Sequence, residues 1–221
     1  MIAYKYLRKE HLKNFKKDGS IRIGTLHEFR KCENKSLQDE LEGRRIIKIS
    51  SHKQPVHFSG KDFHKLLPML KLDEQQKEKV TVYVEDGAQF DMQVANAYVF
   101  CTSLKLDSLL YSRFKCDTHY EIHEPEKFAR ILFEKLNDAK KFIHCFDVRE
   151  VKYADKPTIL TKENKKFVLR DRDDVFWDTC FSKPKNFSDE YEFRMVFVPE
   201  SKNDVNPISL KSPELKRYCK F

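Results

Sequence analysis

Residues 193–199 constrain this chain more than any other stretch. Phe193, Met195 and Phe197 alternate with Arg194, Val196 and Val198 before Pro199 ends the run. Period-two alternation predicts a β-strand, and apolar residues at both parities make it mostly buried. Its entrance is acidic, because Glu190-Tyr191-Glu192 stands directly before it, with Phe187 just upstream. Residues two apart on a strand share a face. Two carboxylates fixed at a rigid strand end among aromatic rings are partly dehydrated, which suits a general base or a stabiliser of developing positive charge. The competing reading is an edge strand whose charges discourage unwanted pairing.

The remaining pattern is of strands with varied loops. Residues 2–7 and 20–24 read as short strands around a helical segment at 11–17 that stops at Asp18-Gly19. Residues 31–45 are polar and read as a loop or lid. Strands are expected again at 46–50, 80–84, 97–103, 142–153 and 167–169. A helix is expected over 125–141, where Phe128, Ile131, Leu132 and Leu136 recur at helical spacing. Residues 52–79, in which Pro68 interrupts a helical pattern, form a candidate insertion. The polar tail after Pro199 is expected to be peripheral. This order predicts an α+β fold: a single domain over 1–221 with mainly antiparallel strands in one or two sheets and a few peripheral helices.

With 221 residues, 18 Phe and 9 Tyr, the chain has ample material for a core. The formal charge of +8 is concentrated early, since residues 1–31 carry nine Lys or Arg against three acidic residues. Such a segment attracts phosphate, so nucleic acid or a nucleotide is an expected partner; a solvated helix face is the plainer reading. No run of eighteen apolar residues occurs, and the charged start leaves no room for a secretory signal, so a cytoplasmic protein that does not enter the membrane is expected. Six scattered cysteines without a Cys-x-x-Cys pair read as free thiols.

Phosphate-binding glycine loops and the nucleophile elbow are absent, which removes the commonest nucleotide and esterase readings. Cys116, His119 and His123, with Cys101 as a fourth ligand, have a zinc-like spacing but lack a close cysteine pair, so no metal is expected. His144 and Cys145 are adjacent on a strand and point to opposite faces, a poor arrangement for a nucleophile and its base.

Three segments in order resemble the ADP-ribosyltransferase fold: Tyr4-Lys5-Tyr6-Leu7, Phe100-Cys101-Thr102-Ser103 and Glu190-Tyr191-Glu192. They look like that family's first strand, which presents Arg or His to NAD, its Ser-Thr-Ser strand and its catalytic Glu-x-Glu. Here Lys5 stands where Arg or His is usual, and Cys101 departs from Ser-Thr-Ser. Lys183 to Arg194, and Phe29-Arg30 followed by Asp39 to Gly43, are also similar to a widespread uncharacterised bacterial family.

The resemblance implies an NAD-dependent transferase of the kind found among toxins and phage-defence effectors, with NAD as co-substrate. It implies Glu192 as the catalytic carboxylate, with Glu190 orienting or deprotonating the acceptor. Ser103 or Thr102 would support the glutamate, Tyr4, Tyr6 or Tyr98 would stack on nicotinamide, and Lys5 or Arg30 would hold the pyrophosphate, with Arg22 as another source of the cation. The acceptor is a nucleic acid or a protein, with nucleic acid slightly favoured by the basic N-terminal segment, and an antitoxin protein is an implied partner. Read without the resemblance, the residues equally accommodate a nucleic-acid-binding module without catalysis or a protein-interaction subunit.

Overall fold

A computed structural model describes residues 1–30, 40–50, 55–60, 62, 73, 79, 81–154, 158–161, 172–200 and 205–221. The fold is α+β and mostly antiparallel. Contacts gather the chain into two compact units, one formed by Met1–Gly43, Ala95–Ala154 and Phe181–Phe221, the other by Arg44–Val94 and Asp155–Cys180. Residues 52–79 fall in the second unit.

The first unit is built on strands β1 (Ala3–Leu7), β2 (Ser20–Thr25), β7 (Tyr98–Ser103), β8 (Thr118–Ile122), β9 (Ile143–Glu150), β13 (Glu192–Pro199), β14 (Ile208–Lys211) and β15 (Cys219–Lys220). β7 lies at the centre. One edge pairs with β13, from Glu192 opposite Ser103 to Phe197 opposite Tyr98, and β13 pairs in turn with β9. The other edge is shared. β1 meets it at Tyr4 opposite Ser103, whereas β2 meets it at Gly24 opposite Val99 and Thr25 opposite Tyr98. Beyond those points β1 turns to β8 and β2 turns to β14. The sheet therefore forks beside residues 100–102, leaving part of a ladder edge for other groups to satisfy.

Pleating sorts the side chains of this sheet. Phe193, Met195 and Phe197 share a core face with Tyr98 and Phe100, against Phe128, Ala129, Leu132 and Leu136 of a helix at Pro125–Asp138. Burying each of those larger side chains contributes roughly 1.5–3 kcal/mol. The opposite face carries Tyr4, Tyr6, Cys101, Ser103, Glu192 and Arg194, as the registers require.

The tail after Pro199 is not peripheral. Ile208–Lys211 adds an antiparallel strand to β2, Cys219–Lys220 adds one to β8, and Leu215 is fully buried. Its short apolar positions, Ile208, Leu210 and Leu215, are what the core recruits despite the polar composition around them. The run expected at 142–153 is two strands: at Val151 the chain leaves β13, and β10 (Lys152–Ala154) pairs in parallel with β12 (Ser182–Pro184). The helix expected to reach 141 ends at Asp138. The strand expected at 167–169 lies outside the described residues.

The first helix, α1 (Lys9–Asp18), spans from β1 to β2 and is closed by Gly19 at φ 72°, whose N–H donates to the Phe15 carbonyl. A Cβ on Gly19 would stand 2.2 Å from the Ser212 carbonyl oxygen and 2.6 Å from the Pro213 nitrogen, both backbone atoms. We expect Gly19→Ala to cost about 3 kcal/mol, from left-handed strain of about 1–2 kcal/mol plus the crowding of an overpacked site. Urea unfolding of the two proteins side by side checks this.

The second unit holds a sheet in the order β11 (Thr158–Leu160), β3 (Arg44–Ile49), β6 (Gln89–Gln93), and a hairpin of β4 (Val56–Ser59) with β5 (Thr81–Val84). Ile47, Ile49, Val56, Phe58 and Val84 form its core.

Candidate functional site

The two glutamates reach the same place because of one backbone kink. Pro184 ends β12, a 3-10 turn runs through Lys185–Glu190, and Tyr191 then adopts the left-handed conformation at φ 47°, ψ 44°. A non-glycine residue there is strained by about 1–2 kcal/mol. The kink leaves the Tyr191 ring exposed and turns both neighbouring carboxylates inward, Glu190 to 3% exposure and Glu192 to 6%. Backbone contacts hold the turn: Ser103 Oγ donates to the Glu190 carbonyl at 2.8 Å, and the Leu104 N–H donates to the Tyr191 carbonyl at 2.8 Å. The Glu192 N–H donates to the Tyr153 hydroxyl oxygen at 2.7 Å.

Buried carboxylates must be paired, and these are linked in an alternating chain of charges. Glu42, itself 1% exposed, takes Arg194 through two bonds of 2.6 and 2.8 Å. Arg194 Nε donates to Glu192 at 2.6 Å. Lys183 Nζ bridges Glu192 at 3.0 Å and Glu190 at 2.6 Å, and Arg113 Nε donates to Glu190 at 3.1 Å while its other end pairs with Asp189. Four carboxylates thus face three cations.

The chain divides the glutamates electrostatically. Burial pushes the Glu192 carboxyl up, but the Arg194 and Lys183 charges outweigh it and hold the group well below the ordinary carboxylate range. Burial prevails at Glu190, whose pKa is raised despite Lys183. Burial would discharge Lys183, yet Glu192 and Glu190 hold it charged. The result is one firmly ionised carboxylate beside a more basic one.

Both line a cleft of about 270 Å³ on the non-core face of the fork. Tyr4, Tyr6 and Phe114 give it an aromatic side, Gly24 and Phe29 another, and Cys101 its floor. Tyr6 is fixed by accepting from the Asp107 N–H at 2.7 Å and by edge contact with the Tyr111 ring at 5.0 Å. Lys5 belongs to the core face of β1, yet its ammonium curls into the fork and donates to the Cys101 carbonyl at 2.8 Å, part of the ladder edge the fork leaves. The Cys101 thiol is pushed well above its ordinary pKa by burial and by Glu192, to which it is hydrogen-bonded, so it serves as a donor to the carboxylate.

No protein-family model, curated protein or solved structure matches this chain.

The residues expected at a site from the sequence are therefore distributed as follows. Glu190, Glu192, Tyr4, Tyr6, Lys5 and Arg22 line the cleft, and Thr102 borders it. Thr102 gives its hydroxyl to the Phe193 carbonyl at 2.9 Å and Ser103 gives its own to backbone, so neither side chain supports the Glu192 carboxylate. That support comes from Arg194, Lys183 and Cys101. Tyr98 is 1% exposed within the core and takes no part in the cleft. Arg30 ends a short helix at Leu26–Arg30, and its side chain lies outside the described residues. Lys183, Arg113, Tyr153 and Glu42 are members that the motifs did not single out. Only Lys183 had a signal, seven residues before Glu190 in the same short motif. Among the described residues no three His, Cys, Asp or Glu side chains converge as a metal site, and no helix is long and apolar enough to cross a membrane.

Proposed function

We infer that this protein transfers ADP-ribose from NAD to a macromolecule, nucleic acid before protein. The observation that carries the reading is the buried pair of unlike carboxylates, Glu192 held ionised and Glu190 made more basic, on one wall of an aromatic cleft opened by the forked sheet.

The chemistry follows from charge. When the bond between the nicotinamide nitrogen and the ribose breaks, its electron pair leaves with nicotinamide, which departs neutral, and positive charge builds on the sugar. A dehydrated carboxylate beside that carbon is worth most in the transition state. Glu192 fits this role because its negative charge is secured by groups on its far side, Arg194 and Lys183. The acceptor then bonds to the sugar carbon through nitrogen or oxygen, and its proton passes to Glu190. Tyr4 and Tyr6 offer rings to nicotinamide, and Lys5 offers an ammonium to the pyrophosphate. A cleft of this size is at the small end of ligand pockets, roughly 300–1,000 Å³, and suits the nicotinamide ribose better than a whole dinucleotide. The excess of basic residues over 1–31 favours a phosphate-bearing acceptor.

The test is incubation of the folded protein with labelled NAD and separate DNA, RNA and protein fractions, following nicotinamide release and label transfer. Release with label on one fraction is expected. Salt-sensitive nucleic-acid binding with no release in any fraction would replace the transferase by a binding module.

A further inference from the structure

On the other face of the fork lies a second cavity of about 470 Å³, framed by β1, α1 and β2. Lys5, Arg22 and Phe100 line both this cavity and the cleft, so the two meet where the sheet divides. Its wall is aromatic, with Phe15 stacked on Tyr120 at 4.6 Å and 12° and Phe100 beside them. His11 and Asn14 of α1 and Ser209 of β14 supply polar groups at its rim.

Two buried polar groups there lack counterparts. The Lys5 ammonium uses one of its three donors on the Cys101 carbonyl, and among the described residues no carboxylate touches it. Burial lowers its pKa accordingly, as expected of a desolvated cation that an anion would recharge. Tyr120 lines the cavity at 2% exposure, and its hydroxyl has no hydrogen-bond partner among the described residues. A buried hydroxyl without a partner costs free energy unless a ligand or water supplies one. Aromatic walls, an unanswered hydroxyl, a polar rim and a cation at the neck describe a site for a phosphorylated nucleoside.

We propose that this cavity holds the adenosine half of the dinucleotide, whose diphosphate lies in the fork against Lys5 and Arg22 while the nicotinamide ribose occupies the cleft beyond. The proposal rests on the NAD reading above and extends it: the substrate threads the divided sheet, which accounts for a cleft too small for all of NAD.

Ser209 and Asn14 are exposed rim positions, so Ser209→Trp and Asn14→Trp each fill the cavity without touching the core. Calorimetric titration of wild type and both variants with ADP and, separately, with nicotinamide mononucleotide tests the proposal, with circular dichroism and melting to show the fold. ADP affinity is expected to fall about tenfold or more in each folded variant, while nicotinamide mononucleotide stays within about twofold of wild type. Equal ADP affinity in wild type and a folded variant overturns the proposal and, if nicotinamide mononucleotide still binds, leaves the transferase reading standing. ADP binding that depends on the cavity, in a protein that binds no nicotinamide mononucleotide, keeps a nucleotide site here and removes the transferase. Failure of wild type to bind either probe overturns both.

Discussion

Glu192→Gln is expected to lower nicotinamide release by about 10²–10³-fold while the protein stays folded. The substitution keeps the shape of the side chain and removes only its charge. Gln offers the developing positive charge a dipole where Glu192 offers an ion, and the difference is largest in a dehydrated cleft. The fold tolerates the change because neither cation beside Glu192 is orphaned: Arg194 keeps Glu42, and Lys183 keeps Glu190. The stability loss should therefore remain below the roughly 3–5 kcal/mol of a buried charge left without any partner. Single-turnover release from NAD, read beside a denaturant titration, separates the two effects. A folded variant releasing nicotinamide at the wild-type rate would remove Glu192 from the chemistry.

What the sequence could reveal of this arrangement was set by distance along the chain. The strand at Glu192–Pro199 and the helix at Pro125–Asp138 are legible because their periodicity is local. The Glu-x-Glu pair is legible for the same reason, since two carboxylates one residue apart share a side. Glu42 is not, because it meets Arg194 across 152 positions and sits in a polar stretch that reads as solvated loop. Arg113 meets Glu190 across 77 and was equally hidden. Tyr98 and Thr102 illustrate a subtler limit. Alternation separates Tyr98, Phe100 and Thr102 from Val99, Cys101 and Ser103, but which set faces the glutamates depends on Glu192 standing opposite Ser103. A shift of one residue would have exchanged the sets. Cys101 is accordingly the β7 side chain that reaches the Glu192 carboxylate, and Thr102 holds the backbone of the neighbouring strand.

Arg194→Met is expected to cost the first unit about 3–5 kcal/mol near neutral pH, a fall in melting temperature of roughly 6–20 °C. Arg194 is 1% exposed and is the common partner of Glu192 and Glu42, so its removal takes the guanidinium from two buried carboxylates at once. The pH dependence of the loss identifies its cause. In the wild type, Glu192 is held below its ordinary value of 4.5, so its contribution to stability is present above that value and declines as acid protonates the unfolded chain first. In Arg194→Met the largest lowering charge on Glu192 is gone and burial weighs more heavily, so the folded variant accepts a proton more readily. The stability gap between the two proteins should therefore narrow as pH falls through the carboxylate range. A gap that stays constant with pH would assign the loss to packing around the Arg194 side chain instead of charge. Replacing Glu42, Glu192 and Arg194 together by Gln, Gln and Met should recover much of the stability, since removing a whole buried ion cluster costs less than breaking it, yet leave nicotinamide release as low as in Glu192→Gln.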